Sequence, residues 1–140
     1  MTVQWSTTLR NALLDQWETT IGVSAKLRIY SGSVPANAAA GIGASVMLAE
    51  FALVSDWAAN ASGGTKALNG LPLATTGDVA AGAGTAATYY RIWDNGATTC
   101  HEQGTVTATG GGGDMTIDNV SIANGQTVNI TAFSKTAPGA

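Results

Sequence analysis

Charged residues are scarce in this sequence. Lysine, arginine, aspartate and glutamate make up 11% of its 140 residues, whereas a typical soluble domain contains about 25%. The formal net charge is only −3, which argues against disorder driven by charge repulsion. The six basic residues are spread along the chain, so no basic patch is available to neutralise a phosphate backbone. We expect no direct nucleic-acid partner.

Cysteine and long apolar runs are also lacking. Cys100 is the only cysteine and there is one histidine, so neither an internal disulfide nor a zinc site within one subunit is expected. No stretch approaches the roughly 18 apolar residues that a membrane-spanning helix needs. The first ten residues lack the basic start and apolar stretch of an export signal. The sequence predicts no cofactor, no membrane partner and synthesis in a cytoplasm.

Small residues are abundant instead. Hydrophobic residues account for 45% of the chain, but 25 of them are alanine, and there are 18 glycines. The length fits a single domain, residues 1–140, with enough larger apolar side chains for two thin packed layers. A surface with few charges needs little desolvation when it meets another protein, so this composition suits burial in an assembly.

One helix is predicted, over residues about 6–21. Apolar side chains recur there at every fourth position, with one more beside them: Leu9, Leu13, Trp17, Ile21 and Leu14. This spacing places them on one helix face, which we expect to cover a sheet. An exposed Trp17 stripe that binds a partner is the alternative. The polar residues Arg10, Gln16 and Glu18 are expected to face solvent. Ser6, Thr7 or Thr8 suits the helix start and Gly22 its end.

Beyond Gly22 the apolar period changes to two, which is typical of strands. Strands are predicted at 25–30, 46–54, around 71–73, 88–93, 98–103, 105–109, 115–118 and 127–133. A helix is the competing interpretation of 46–54. Asp94-Asn95-Gly96 predicts a tight hairpin, and the glycines at 110–113 predict a bulged or sharply bent strand pair. The pattern predicts an all-β fold, a jelly roll or β-sandwich of about eight or nine short antiparallel strands.

No catalytic constellation is evident. Cys100 and His101 are adjacent, and neighbouring residues on a strand point to opposite faces, so we expect a small buried thiol and a solvated histidine. Asp114 and Asp118 lack the ligand spacing of a helix-loop-helix calcium site and are expected at turns and strand ends. A small hydrolase would need Glu102 and another acid at catalytic separation in one pocket. The sequence predicts that the chain is not an enzyme.

Four aromatic residues form a candidate platform for stacking sugars: Trp57, Tyr89, Tyr90 and Trp93. Alternation along the strand puts Tyr89 and Trp93 on one face and Tyr90 on the other, so part of this set is expected in the core. A carbohydrate-binding module is the alternative function that these residues suggest.

Three segments are distinctive: Thr2-Val3-Gln4-Trp5-Ser6-Thr7 leading to Arg10-Asn11-Ala12, the strand Leu27-Arg28-Ile29-Tyr30-Ser31-Gly32, and the stretch from Thr105-Val106-Thr107-Ala108-Thr109 through the four glycines to Asp114-Met115. They resemble segments of the jelly-roll cement, or decoration, proteins on the capsids of tailed bacteriophages. The resemblance extends from the N-terminal helix to the last strand, and none of its segments is a catalytic signature.

The resemblance implies a structural virion protein on the capsid exterior. Such a protein bridges neighbouring major capsid protein subunits, stabilises the expanded shell and forms a homodimer, without enzyme activity or cofactor. Trp5 and Trp57 are the candidate capsid or dimer interface residues, together with the loops 36–45 and 77–84. Packing over the core is the alternative role of both tryptophans.

Overall fold

The computed structural model describes residues 2–140. The chain is mostly β, with a curled mixed sheet and one α-helix. Its elements are α1 (Thr7–Ile21), β1 (Lys26–Tyr30), β2 (Met47–Ala52), β3 (Thr65–Ala67), β4 (Leu73–Thr76), a 3₁₀ turn (Val79–Ala81), β5 (Thr85–Ala86), β6 (Tyr89–Trp93), β7 (Cys100–Ala108), β8 (Met115–Ile117), β9 (Ser121–Ile122) and β10 (Thr127–Thr136).

Helix α1 begins and ends where the sequence predicts. Ser6 is the N-cap, and its side-chain oxygen accepts a hydrogen bond from the Leu9 N–H at 3.2 Å. Gly22 follows the last helical residue with φ of 91°, in the left-handed region where glycine carries no Cβ penalty.

The buried face of α1 differs from the predicted one. Leu14 and Ile21 are buried as expected, but Leu9 and Leu13 are 46% and 45% exposed, whereas Arg10 is only 8% exposed. The prediction for Leu9, Leu13 and Arg10 was therefore wrong. The helix is rotated because its charged residues find partners within the fold, as described below.

Residues 2–140 contain ten strands, slightly more than expected. Eight belong to one sheet with the order β2-β1-β6-β7-β8-β10-β3, and β4 also pairs with β10; β5 and β9 form a separate pair. The ladder between β7 and β8 is parallel and the others are antiparallel, so the prediction of an entirely antiparallel fold was wrong. The strand predicted around 71–73 begins at Leu73. The architecture is consistent with a β-sandwich.

The parallel pair depends on glycine. Only residues 109–114 connect β7 to β8, whereas a parallel crossover usually takes a dozen residues or more. This loop folds back over Thr107, whose hydroxyl accepts a hydrogen bond from Gly113 N at 2.9 Å. A Cβ on Gly111 or Gly113 would lie 2.8 or 2.9 Å from the Thr107 side chain. The sharp bend predicted at 110–113 is confirmed, and its cause is close approach of backbone to side chain.

The hairpin predicted between β6 and β7 is confirmed, but its turn is not. The loop spans residues 94–99, and Asp94 organises it by accepting hydrogen bonds from Thr98 N at 2.7 Å and Thr99 N at 3.3 Å. The positive φ in this loop, 53°, belongs to Ala97 rather than to Asn95 or Gly96. The two-residue turn predicted at Asn95-Gly96 was therefore wrong.

The sheet curls until β2 reaches the segment that follows β4. Ala49 forms a β-bridge with Gly77, and the Asp78 N–H donates to Leu48 O at 2.7 Å. The curled sheet encloses one apolar core, which includes Leu27, Ile29, Phe51, Ile92, Val106, Ile117, Ile130 and Phe133. Helix α1 covers part of this core through Trp17 and Ile21.

Candidate functional site

The outward side of helix α1 carries no charged residue. We call it the α1 outer face and define it by its exposed residues, Thr8, Leu9, Ala12, Leu13, Gln16, Thr19 and Thr20. A surface helix ordinarily turns its charged residues to solvent and its leucines to the core. Here Leu9 and Leu13, one helical turn apart, are both nearly half exposed. This face is a candidate docking surface.

The charged residues of α1 are bound to the rest of the fold. Arg10 donates from Nε and Nη2 to the carbonyl oxygen of Ala137 at 3.2 and 3.0 Å, which joins the helix to the C-terminal segment. Gly64 lies against this guanidinium, since a Cβ there would come within 2.3 Å of Arg10 Cζ. The cost of burying Arg10 is thus offset by hydrogen bonds, and the guanidinium fits only because position 64, which it contacts, is glycine.

Lys66 on β3 joins α1 to the neighbouring strands. Its side chain is 1% exposed, and its ammonium lies 2.8 Å from both Asp15 Oδ1 and Glu18 Oε2. Burial alone would lower the pKa of Lys66, but hydrogen bonds to both carboxylates and their charges outweigh it and raise the pKa. The hydrogen bond from Lys66 and one from Ala61 N lower the pKa of Asp15. This ion triad fixes the rotation of α1 and so exposes the α1 outer face.

Trp5 lies just ahead of α1 and is partly exposed. Its ring is packed against Gly139, its backbone N–H donates to Gly139 O at 2.9 Å, and 37% of the residue remains exposed. Val3 is 69% exposed. Four exposed large apolar residues therefore lie between residues 3 and 13: Val3, Trp5, Leu9 and Leu13. The interface role of Trp5 stays a prediction.

Trp57 lies in the core. It is 1% exposed, its indole N–H donates to Gly22 O at 2.9 Å, and its ring contacts Trp17 edge to face with centroids 4.9 Å apart. A side chain in this position supports the junction of α1 with β1 and offers no ring surface to a partner. Trp57 therefore packs in the core, which was the alternative to its candidate role at a capsid or dimer interface.

The aromatic residues considered for sugar stacking are also mostly enclosed. Tyr89 and Tyr90 are 0% exposed. Trp93 is half-buried, and the guanidinium groups of Arg28 and Arg91 lie 5.8 and 5.6 Å from its ring centroid. Cations already contact this ring, so the four residues do not form an exposed platform. Carbohydrate binding stays a prediction, and these four residues provide no exposed aromatic platform for it.

Glu102 holds together a polar network at the edge of the core. Its Oε2 accepts from the Trp17 indole at 2.7 Å, and its Oε1 accepts from the Tyr90 hydroxyl at 2.6 Å and pairs with Lys135. Burial raises the pKa of Tyr90 strongly, and the Glu102 charge adds to the effect. Both carboxylate oxygens are occupied by structural partners, so Glu102 is not poised as the acid of a hydrolase.

Cys100 pairs with Trp93 and Glu102 pairs with Ile92, so β7 is irregular at His101 and the alternation assumed in the prediction does not hold there. The Cys100 thiol is half-buried and donates to Glu102 O at 3.3 Å, while His101 is exposed. Burial raises the pKa of the thiol, which keeps it protonated and weakly nucleophilic. The pair does not form a catalytic dyad.

The other acids noted in the sequence stabilise turns and strand ends. Asp114 Oδ2 accepts from the Thr105 N–H at 2.8 Å, and Asp118 accepts from Asn129 N at 3.0 Å and from its side-chain amide at 2.6 Å. Hydrogen bonds from Thr105 lower the pKa of Asp114. Residues 2–140 contain no cluster of three His, Cys, Asp or Glu side chains arranged to hold a metal ion.

The two loops named as interface candidates are ordered by different contacts. Loop 36–45 folds over the outer side of β6, where Asn37 O accepts from Arg91. Loop 77–84 contains the 3₁₀ turn, whose Val79 is 75% exposed. Capsid contacts by either loop stay predictions.

Helix α1, the one α-helix within residues 2–140, is neither long nor apolar enough to cross a bilayer. No protein-family model, no curated protein and no solved structure matches the chain.

Proposed function

We propose that this chain is a structural protein of a bacteriophage virion, a cement or decoration protein that binds the outside of the capsid. In this role it contacts neighbouring major capsid protein subunits, bridges them and stabilises the shell. The observation that carries the proposal is the α1 outer face, an uncharged surface with exposed Leu9 and Leu13. The resemblance of residues 2–12 and 105–115 to phage cement proteins supplies the identity of the partner.

The physical basis is the low cost of burying this face. Thr, Ala and Gln side chains surround the two leucines, and Asp15, the half-exposed charged residue beside this face, is already paired with Lys66, so docking removes water from few ionised groups. Fully burying a leucine contributes about 1.5–3 kcal/mol, and half-exposed residues contribute correspondingly less. One such patch gives modest affinity, but a protein that touches several capsid subunits gains from effective concentration. Many weak contacts then produce a stiff shell.

The reactive side chains support a structural role rather than an enzymatic one. Glu102, Asp114 and Asp118 use their carboxylates to hold strands together, and the Cys100 thiol is kept protonated. These three carboxylates, which the sequence offered for catalysis, therefore serve the fold. We assign no reaction and no cofactor to the chain.

The fold type, the oligomeric state and the location that we propose rest on the same resemblance to phage cement proteins. The curled sheet is assigned to the jelly-roll type, the protein acts as a homodimer, and it is made in the bacterial cytoplasm before it attaches to the capsid exterior. Trp5 extends the α1 outer face toward the N-terminus and is the interface residue that we retain.

Replacing Leu13 by glutamate tests the docking surface. Leu13→Glu keeps helix propensity and is exposed, so the melting temperature of the free protein should fall by no more than about 2 °C. Its affinity for capsids stripped of the protein should fall about tenfold or more, because a carboxylate replaces an apolar contact. Co-sedimentation with stripped capsids measures the affinity.

Val54→Glu is the matched control. Val54 is 67% exposed and lies outside α1, so the same type of change should leave capsid affinity within about twofold of the wild type. Equal losses for Leu13→Glu and Val54→Glu, or no loss for either, would contradict docking through the α1 outer face.

A further inference from the structure

A pocket lies on the outer side of β6, far from the apolar core. Loop 36–45 and the preceding residues cover this side of the strand, and they are held there by hydrogen bonds. Arg91 Nη2 donates to Asn37 O at 3.1 Å and to Gln103 Oε1 at 2.8 Å, and Gln103 Nε2 donates to Pro35 O at 2.6 Å. The cover is thus attached to two strands of the sheet.

Between this cover and the β6–β7 hairpin loop is a pocket of about 290 Å³. It is lined by residues 38–41, Arg91, Trp93 and the segment 98–100. Its volume is at the lower end of the range for small-molecule sites. It is suited to a small ligand or to a single side chain from a partner.

Arg91 is a buried cation without a counter-ion. It is 1% exposed, and none of the five ion pairs among residues 2–140 involves it. Its two hydrogen bonds to protein come from Nη2 and go to neutral oxygens. Its Nε is buried and has no hydrogen-bond partner within the described chain.

This arrangement is energetically costly for the protein alone. Leaving a buried donor unpaired is destabilising, and more so when the group is charged. Buried charges in proteins are ordinarily paired, and Lys66 shows how this chain does so elsewhere. The Trp93 ring near Arg91 provides a cation–π contact, but the ring carries no negative charge to pair with the guanidinium.

We propose that the pocket beside Arg91 binds a carboxylate group, either of a small free acid or of an acidic side chain. An anion in the pocket supplies the negative charge that the neutral partners of Arg91 lack, which a neutral ligand or a water molecule cannot do. Arginine is the residue that proteins use most for planar anions. The carboxylate in the adjoining loop, Asp94, does not occupy this role, because its oxygens accept from Thr98 and Thr99.

The test is an NMR titration of the free protein, followed through the side-chain Nε–H signals of its arginines. Sodium acetate and a terminally blocked glutamate are the two carboxylate probes, inorganic phosphate is a competing anion, and sodium chloride at equal ionic strength is the salt control. Arg28 is an internal control, because its Nε already donates to Glu50 at 2.6 Å. The Arg91 signal is assigned from its loss in Arg91→Lys.

The Arg91 signal should shift saturably with acetate, with a dissociation constant of about 1–10 mM, while the Arg28 signal stays unchanged. Binding by the blocked glutamate points to an acidic side chain as the natural ligand, and binding by acetate alone points to a small free acid. Two variants should weaken binding about tenfold or more: Arg91→Gln, which removes the charge, and Ala40→Phe, which fills the pocket and leaves Arg91 intact.

Three results would overturn the proposal. The first is an Arg91 Nε–H signal that shifts no more with acetate or blocked glutamate than with sodium chloride. The second is a signal that saturates with phosphate but with neither carboxylate. The third is carboxylate binding that is unchanged in Ala40→Phe. The measurement uses free protein and no capsid, so its outcome is independent of the proposed cement function.

Discussion

Replacement of Gly77 by alanine is expected to lower the free energy of unfolding by about 3 kcal/mol or more. A Cβ at Gly77 would lie 2.0 Å from the carbonyl oxygen of Ala123 and 2.9 Å from Ile122 Cγ2. The backbone on both sides is fixed, because Gly77 N donates to Gln126 O at 2.7 Å and Gly77 O accepts from Gly125 N at 2.9 Å. Overpacking commonly costs 1–3 kcal/mol, and a collision with backbone falls at or above the upper end.

The expected consequence is a large fall in melting temperature, measured by calorimetry or circular dichroism. For a chain of this size about 3 kcal/mol corresponds to roughly 6–12 °C. Gly41→Ala is the matched control, since a Cβ there meets no atom within 4 Å, and its stability should be unchanged or slightly higher. If the two alanine variants melted at the same temperature, the close contact at Gly77 would be absent from the protein in solution.

Loss of the buried ammonium of Lys66 is the second large effect that we expect. Lys66→Met keeps the apolar stem and removes the charge, which leaves Asp15 and Glu18 without their shared partner. Breaking a buried pair from one side costs about 3–5 kcal/mol. Asp15 is half exposed and recovers some hydration, so we expect about 3 kcal/mol by urea denaturation. Lys26→Met, in a partly exposed pair with Glu50 at 4.0 Å, should cost less than about 1 kcal/mol.

The effect of Lys66→Met should depend on pH. The pKa of Asp15 is lowered in the folded state, so its contribution is present above the ordinary aspartate pKa of about 3.9 and is lost as the pH falls through the folded value. The pKa of Lys66 is raised, so its contribution is present below the ordinary lysine pKa and is lost only as the pH rises through the folded value. The stability difference between wild type and variant should therefore be full near neutral pH and shrink below about pH 4. A difference that is constant down to pH 2, or a Lys66→Met variant as stable as Lys26→Met, would contradict this account.

The limits of α1 could be predicted from sequence because they depend on local chemistry. Ser6 and Gly22 act on the nearest turn of backbone, and the structure has them where expected. Which face is buried depends on distant partners, Lys66 and Ala137, which the helix sequence does not reveal. A signal was present nonetheless, because Arg10, Asp15 and Glu18 all avoid the side of the helix that carries Leu9 and Leu13.

Strand existence was likewise easier to predict than strand pairing. The alternation of apolar and polar residues predicted strands β1, β2, β6 and β10 nearly in full, because each strand has one face on the core. The parallel pairing of β7 with β8 depends on a glycine loop that folds back over Thr107. Hydrophobic periodicity in the sequence does not reveal such a contact. The neutral neighbours of Arg91 depend on loop 36–45 in the same way, so the pocket there had no sequence signal.

Electron microscopy of purified virus particles tests the central claim most directly. The account predicts this chain on the outer surface of the capsid, spanning at least two major capsid subunits, with Leu9 and Leu13 of α1 turned toward the shell. A capsid without the chain, or a bound chain with the α1 outer face in solvent, would contradict it.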